Sequence, residues 1–216
     1  MMEWRDGAKE VAAKSTGIGF QGLLEGIVFS VSAFMSGWFG RTAIAAYNIA
    51  DQLSTATYMI AMGVGQASTI RVSTWVGEGK FEHIRKAGFA ALHLALFFMV
   101  CCGVLFIIFR KAIPFIFVSE PHAAALAAEL IVIVSAYQVF DATQLSAMCA
   151  LRGLKDVKIP LVYSFISYYI IGMPCAYILS VPLQFGPRGI IMGLTAGLAS
   201  AGILFVTRFL RLTKDY

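Results

Sequence analysis

Six apolar runs, each about the 20 residues a helix needs to cross roughly 30 Å of hydrocarbon, divide the chain at 17–39, 43–70, 87–109, 123–151, 159–179 and 189–210. No other feature limits the fold so strongly. A backbone in lipid must satisfy its polar groups internally, which leaves helices and closed barrels. The connectors, "VGEGKFEHIRK" and "RGLKDVK" among them, are short, charged and punctuated by glycine, as loops are. Composition agrees: 59% of residues are apolar and 13% charged, against about 45–50% and about 25% in a soluble domain. The expected fold is an all-α, polytopic membrane protein with six transmembrane helices. The second and fourth runs exceed the bilayer, so tilt or projecting ends are expected there.

Residues 1–16, "MMEWRDGAKEVAAKST", mix acids and bases with apolar residues at helical spacing and lack the basic start of a signal peptide. They are expected to form a cytoplasmic interfacial helix, ahead of a six-helix lobe over 17–211 and a cytoplasmic tail over 212–216. Basic residues accumulate in cytoplasmic loops. An N-terminus inside places thirteen of the seventeen Lys and Arg in the cytoplasm and leaves Arg41, Arg110, Lys111 and Arg188 outside. Both termini are therefore expected in the cytoplasm of a multi-pass plasma (inner) membrane protein. The net charge of +5 then needs no nucleic acid to explain it. Cys101, Cys102, Cys149 and Cys175 lie within spans and are read as small packing residues. His93 is read as a helix-contact residue, and no spacing suggests a zinc site.

Placement separates the twelve acids. Nine lie in loops, tails or, for Glu129, near the outer end of a span. Glu25, Asp51 and Asp141 lie inside spans, where a carboxylate costs ~2.5–3.5 kcal/mol on insertion scales and is a functional hypothesis by default. Glu25 is eight residues past Gly17 and Asp141 ten before Leu151, so at 1.5 Å per residue both stand ~12–15 Å from the same end of their spans. They can share one site near the midplane. Interhelical hydrogen bonding is the alternative for each acid, most of all for Asp51.

Each acid has neighbours on its own helical face. Tyr137 precedes Asp141 by four residues and Gln144 follows by three, while Gln21, Glu25 and Phe29 repeat at intervals of four. In the second span Asn48, Gln52, Thr55, Met59, Met62 and Gln66 form a stripe at spacings of three and four. Such a stripe suits a hydrated cavity, with helix-to-helix hydrogen bonding as the other reading. Gln21, Phe29, Asn48, Asp51, Gln52 and Gln144 are the expected cavity or substrate residues. Pro160, Pro174 and Pro182 can break or kink the fifth span, and Gly63 and Gly65 permit bending in the second.

The ordered segments "GIGFQGLLEGIVF", "GRTAIAAYNIADQ", "GVGQASTIRVSTWVGEGKFEHIRKAG", "YQVFDATQLSAMCALRGLKDVKIP" and "YYIIGMPCAYIL" resemble the C-terminal lobe of a MATE-family multidrug and toxin extrusion transporter of the bacterial NorM-like kind. The resemblance covers about Lys14 to Arg211. It implies an antiporter that exports organic, often cationic, compounds while sodium or protons run inward, with no other cofactor. The family's cation-binding glutamate and aspartate match Glu25 and Asp141, and a tyrosine one turn earlier matches Tyr137. If sodium is the ion, Glu25 and Asp141 are its metal ligands. Family chains contain twelve helices in two lobes, whereas six are expected here, with Met1 falling where the interlobe linker would be. The implied partner is a missing or separate N-terminal lobe, in preference to a second copy. The chain also departs at Ile18, where a proline is usual, and at Ala142 and Cys149, where glycines are common.

The chemistry has a basis apart from the family. Two carboxylates with amide or carbonyl oxygens can ligate sodium, or a buried carboxyl can load and release a proton, the pair titrating jointly. Tyr137 offers a ring face worth roughly 0.5–2 kcal/mol to a cation. The chain is expected not to be an enzyme. Asp141 is followed by Ala142-Thr143 rather than set in a Gly-x-Gly-Asp loop, and HExxH and GxxxxGK[ST] do not occur. A non-transporting half and a lipid-linked precursor flippase of related architecture are the alternatives.

Overall fold

The computed structural model describes the backbone from Met2 to Lys214, and the side chains of Ala12 and of Ser15 onward. Helices account for nearly all of it: α1 (Met2–Gly37), α2 (Arg41–Gly77), α3 (Glu82–Phe109), a one-turn α4 (Pro114–Phe117), α5 (Pro121–Gly153), α6 (Lys158–Phe165), α7 (Met173–Ser180) and α8 (Pro187–Leu212). A π-helical segment, Ile166–Gly172, joins α6 to α7. Five stretches are long and apolar enough to span a membrane: Ser15–Gly37, Glu82–Phe109, Pro121–Gly153, Lys158–Ser180 and Pro187–Leu212. The sixth expected span is α2, whose 37 residues reach ~55 Å at 1.5 Å per residue. Its polar stripe is what lowers its hydropathy.

Helix α1 runs unbroken from Met2. The interfacial character expected for 1–16 depends on side chains that, apart from Ala12, Ser15 and Thr16, lie outside the described ones, as do Asp215 and Tyr216 of the expected tail.

The centre of the lobe is α5, which packs on α2, α8 and α3. Its buried face uses small residues, Ala123, Ala127, Ala142 and Cys149 among them. Small side chains let helix backbones approach where lipid supplies no hydrophobic force between helices. Gly65 of α2 makes room for Cys149: a Cβ there would stand 2.7 Å from the thiol sulfur. The neighbouring Thr69 hydroxyl donates to the Cys149 carbonyl at 2.8 Å. All four cysteines carry free thiols.

The fifth span is interrupted where its sequence predicts. Pro174 stands in the first turn of α7, and a proline inside a helix has no N–H for the preceding turn and crowds the carbonyl four residues back. The π segment immediately before it takes up the misfit, a usual device where a helix register must shift. Helix α8 lies against this interrupted stretch through Gly189, Gly193 and Gly197, spaced by four. A Cβ on Gly189 would come within 2.5 Å of the Leu179–Ser180 peptide, and one on Gly193 would overlap the Ala176 backbone. Phe20, Leu23, Ile27 and Phe34 of α1, and Phe97, Val104 and Ile108 of α3, remain exposed on faces that suit lipid.

Candidate functional site: a carboxylate cavity between four helical segments

Glu25 on α1, Asp51 on α2, Tyr137 and Asp141 on α5, and Tyr168 on the π segment line one cavity of about 300 Å³. Phe29, Ser54, Tyr58 and Gln144 complete much of its wall. An adjoining void of about 20 Å³ shares Phe29, Asp51, Ser54 and Tyr137 and reaches Leu194 of α8. That is room for about one water.

Two oxygens in this wall have no donor. Oε1 of Glu25 and Oδ2 of Asp141 are sealed from solvent and lack a hydrogen-bond partner. Asp141 is 3% exposed, so water at the cavity mouth does little for it. The two carboxylates also repel each other when both are charged. A buried polar oxygen left unsatisfied costs ~1–3 kcal/mol, and more if charged. A third component that is positively charged, or a proton, would remove that cost.

Several other polar groups nearby are spoken for. Ser54 donates to the Tyr137 hydroxyl at 3.1 Å, so the phenol oxygen is held at the wall. Gln138 donates to Thr57 at 3.2 Å, and Tyr169 donates to the Leu24 carbonyl at 3.0 Å, tying the π segment to α1 beside Glu25. Among the described residues no group of three or more His, Cys, Asp or Glu side chains stands ready to hold a metal ion. A cation between Glu25 and Asp141 would therefore draw on neutral oxygens as well, and Tyr137 and Gln144 are the candidates in the wall.

Six of the residues expected from sequence meet here: Glu25, Phe29, Asp51, Tyr137, Asp141 and Gln144. Three do not. Gln21 is 1% exposed and sits behind the wall, donating to the Ser164 hydroxyl at 2.8 Å and to the Met148 sulfur at 3.1 Å. Asn48 and Gln52 are exposed. The α2 stripe is thus split, with Thr55 and Met59 in the cavity and Gln66 exposed, near the Met62 sulfur. A helical face spans more arc than one cavity can cover, so stripe spacing alone could not divide it.

Sequence reasoning missed Tyr58 and Tyr168, which read as ordinary apolar-span aromatics, and it missed the position of Arg152. Counted from sequence only among the basic residues of the cytoplasmic side, Arg152 donates from Nη2 to Gln21 Oε1 at 3.2 Å, and its charge attracts Glu25. Its Nε is buried without a partner. The one available signal was that Arg152 lies eleven residues past Asp141, three helical turns along the same face. His93 bonds the Phe89 carbonyl through Nδ1 at 2.7 Å on the exposed side of α3, far in sequence and structure from the acids.

Fold and cavity together define a helical membrane lobe with carboxylates facing an internal hollow, an arrangement of membrane transporters. The MatE family matches residues 17–178, and the chain belongs to that family. It is 37% identical over 191 residues to the multidrug resistance protein NorM of Burkholderia vietnamiensis, covering 86% of this chain and 41% of that protein. It is 35% identical over 195 residues to a probable multidrug resistance protein NorM of Deinococcus radiodurans, covering 88% of this chain and 43% of that one. Its fold superposes with a TM-score of 0.88 on the eukaryotic MATE transporter AtDTX14, at 20% identity, over all of this chain and 50% of that one. The bent form of the Vibrio cholerae MATE transporter VcmN gives 0.82 at 16% identity, over 91% and 44%. The chain thus spans half or less of the length of these relatives.

Proposed function

We propose that this chain is one lobe of a cation-coupled antiporter that exports organic, cationic compounds across the plasma (inner) membrane, with both termini cytoplasmic, and that it is not an enzyme. The observation that carries this reading is the pair of unpartnered, buried carboxylate oxygens on Glu25 and Asp141 in one cavity. Sodium or a proton would neutralise them, and the Tyr137 hydroxyl and the Gln144 amide oxygen would complete a sodium shell. Phe29, Tyr58 and Tyr168 present aromatic surface to an organic cation, worth roughly 0.5–2 kcal/mol per ring face when desolvated. Because ion and organic cation draw on the same two charges, each weakens the other, which is the differential affinity an antiporter needs. Arg152 adds a resident positive charge that can pair with Glu25 when the site is otherwise empty. A separate N-terminal lobe would close the side where Asn48 and Gln52 lie exposed.

The test is ethidium efflux from liposomes holding the chain alone, or with the N-terminal lobe of a NorM relative, under imposed sodium or proton gradients. Gradient-driven efflux that disappears in both Glu25→Gln and Asp141→Asn is the expected result. Efflux that survives both substitutions would remove these acids from coupling. Its dependence on the second lobe would decide between a self-sufficient half and a paired one.

A further inference from the structure

A second cavity lies outside the carboxylate site, between the loop-proximal ends of α2 and α3. It measures about 510 Å³ and is an open groove with two chemically distinct ends. One end is basic and carries Arg71, His83 and Lys86; the other is apolar, with Val64, Ala67 and Leu94. The division follows from helical spacing. Residues 64, 67, 68, 71 and 75 share one face of α2, and 83, 86, 87, 90, 91 and 94 share one face of α3. Where α2 leaves the apolar layer for the loop, the groove changes from aliphatic to cationic.

Trp75 stands at the basic end, one turn beyond Arg71. Its ring lies 5.6 Å from the Arg71 guanidinium carbon and 5.3 Å from the Lys80 nitrogen, with the His83 ring 5.0 Å away on centroids. Tryptophan favours the headgroup level of a bilayer. Nearby acids do not neutralise the groove: Glu78 pairs with Lys80 at 2.8 Å, Glu82 lies 3.8 Å from His83, and no carboxylate among the described residues pairs with Arg71 or Lys86.

An independent observation points to a ligand. Ser68 lines the groove one turn deeper than Arg71. It is 4% exposed, yet its hydroxyl has no hydrogen-bond partner. Its neighbours behave differently: Thr69, Ser73 and Thr74 each donate to a carbonyl of the preceding turn. A buried serine hydroxyl in a helix normally does the same, so this donor is free for an acceptor entering from the groove.

We infer that the α2–α3 groove binds an anionic glycerophospholipid, its phosphate held by Arg71, Lys86 and Ser68 and an acyl chain lying along Val64, Ala67 and Leu94. Basic pockets between transmembrane helices bind lipid headgroups in this way, each Lys or Arg near an anionic surface being worth about 1 kcal/mol. The aliphatic end is what a lipid uses and a free phosphate does not. This inference is independent of the coupling chemistry at Glu25 and Asp141.

The test uses Trp75 as the reporter. With Trp4→Phe and Trp38→Phe it is the sole tryptophan of the three in the chain. The full chain is placed in phosphatidylcholine vesicles doped with phosphatidylglycerol or phosphatidylcholine brominated high on the acyl chain. Phosphatidylglycerol should quench Trp75 at a mole fraction about thirtyfold lower than phosphatidylcholine, two basic residues contributing as above. Arg71→Gln with Lys86→Gln should abolish that preference, and Lys155→Gln with Lys158→Gln, on another loop, should keep it. Ser68→Ala, which retains every charge and changes only one hydroxyl, should weaken the preference and guards against a double variant that fails to fold. Equal quenching by both lipids overturns the inference. So does loss of the preference in the Lys155/Lys158 variant, which would show diffuse surface attraction, or its loss to millimolar inorganic phosphate, which would show a soluble anion site.

Discussion

The seam between α7 and α8 and the cavity between α1, α2 and α5 solve opposite problems within one lobe. In the seam, Gly189 and Gly193 bring backbone against backbone so closely that not even a methyl group fits. The cavity is held open by large side chains, Phe29, Tyr58, Tyr137 and Tyr168, around acids whose oxygens lack donors. One region is optimised for contact, and the other keeps polar groups unsatisfied in the least forgiving solvent a protein meets. The contrast shows where this fold spends stability and where it stores it: a tight seam can hold the interrupted span in register while the cavity wall stays incomplete.

The largest effect that would break the contrast is at the seam. Gly193→Val should prevent a folded lobe, since overpacking alone costs ~1–3 kcal/mol even where neighbours can shift and here the obstacle is the Ala176 backbone. Loss of the monodisperse peak in detergent size-exclusion chromatography is the readout. At the cavity the sign should reverse: Asp141→Asn removes a buried negative charge and its repulsion with Glu25 and is expected to stabilise the lobe, while abolishing coupled efflux. A thermal melt showing Asp141→Asn less stable than wild type would mean that the acid is structural glue.

Smaller changes sharpen the picture. Ser54→Ala removes the donor to Tyr137 and should cost about 0.6 kcal/mol, the average for interhelical hydrogen bonds in a membrane bundle. It should also weaken ion binding, since the phenol oxygen is no longer held at the wall. No loss is expected from Gly63→Ala, because a Cβ at Gly63 meets nothing within 4 Å and alanine favours helix over glycine by up to ~1 kcal/mol. A large loss there would show that Gly63 bends α2 rather than merely occupying it.

Much of this could be seen in the sequence, for definite reasons. Apolar run length reports a span directly because bilayer thickness sets it, and Pro174 signalled the break in the helix because proline lacks an N–H. The depth of Glu25 and Asp141 followed from counting residues along straight helices. Where counting ended, accuracy ended. Gln21, Asn48 and Gln52 share faces with true wall residues, and only the packing of α1 and α5 on α2 decides which part of each face meets the hollow. Arg152 counts in the sequence only as one more basic residue of a charged connector, but its long side chain reaches back to Gln21, a choice made by a neighbouring helix that linear spacing does not encode.

The sequence by itself therefore determined the membrane class, the order of the helices, the break in the fifth span and the register of the two acids along their helices. Each depends on a local quantity: transfer free energy, rise per residue, or a missing donor. Only the tertiary structure decided that Glu25 and Asp141 open onto one cavity, that Tyr58 and Tyr168 complete it, and that Ser68 lies unpaired in a basic groove. Those are relations between helices far apart in the chain, set by which small residues allow which backbones to meet.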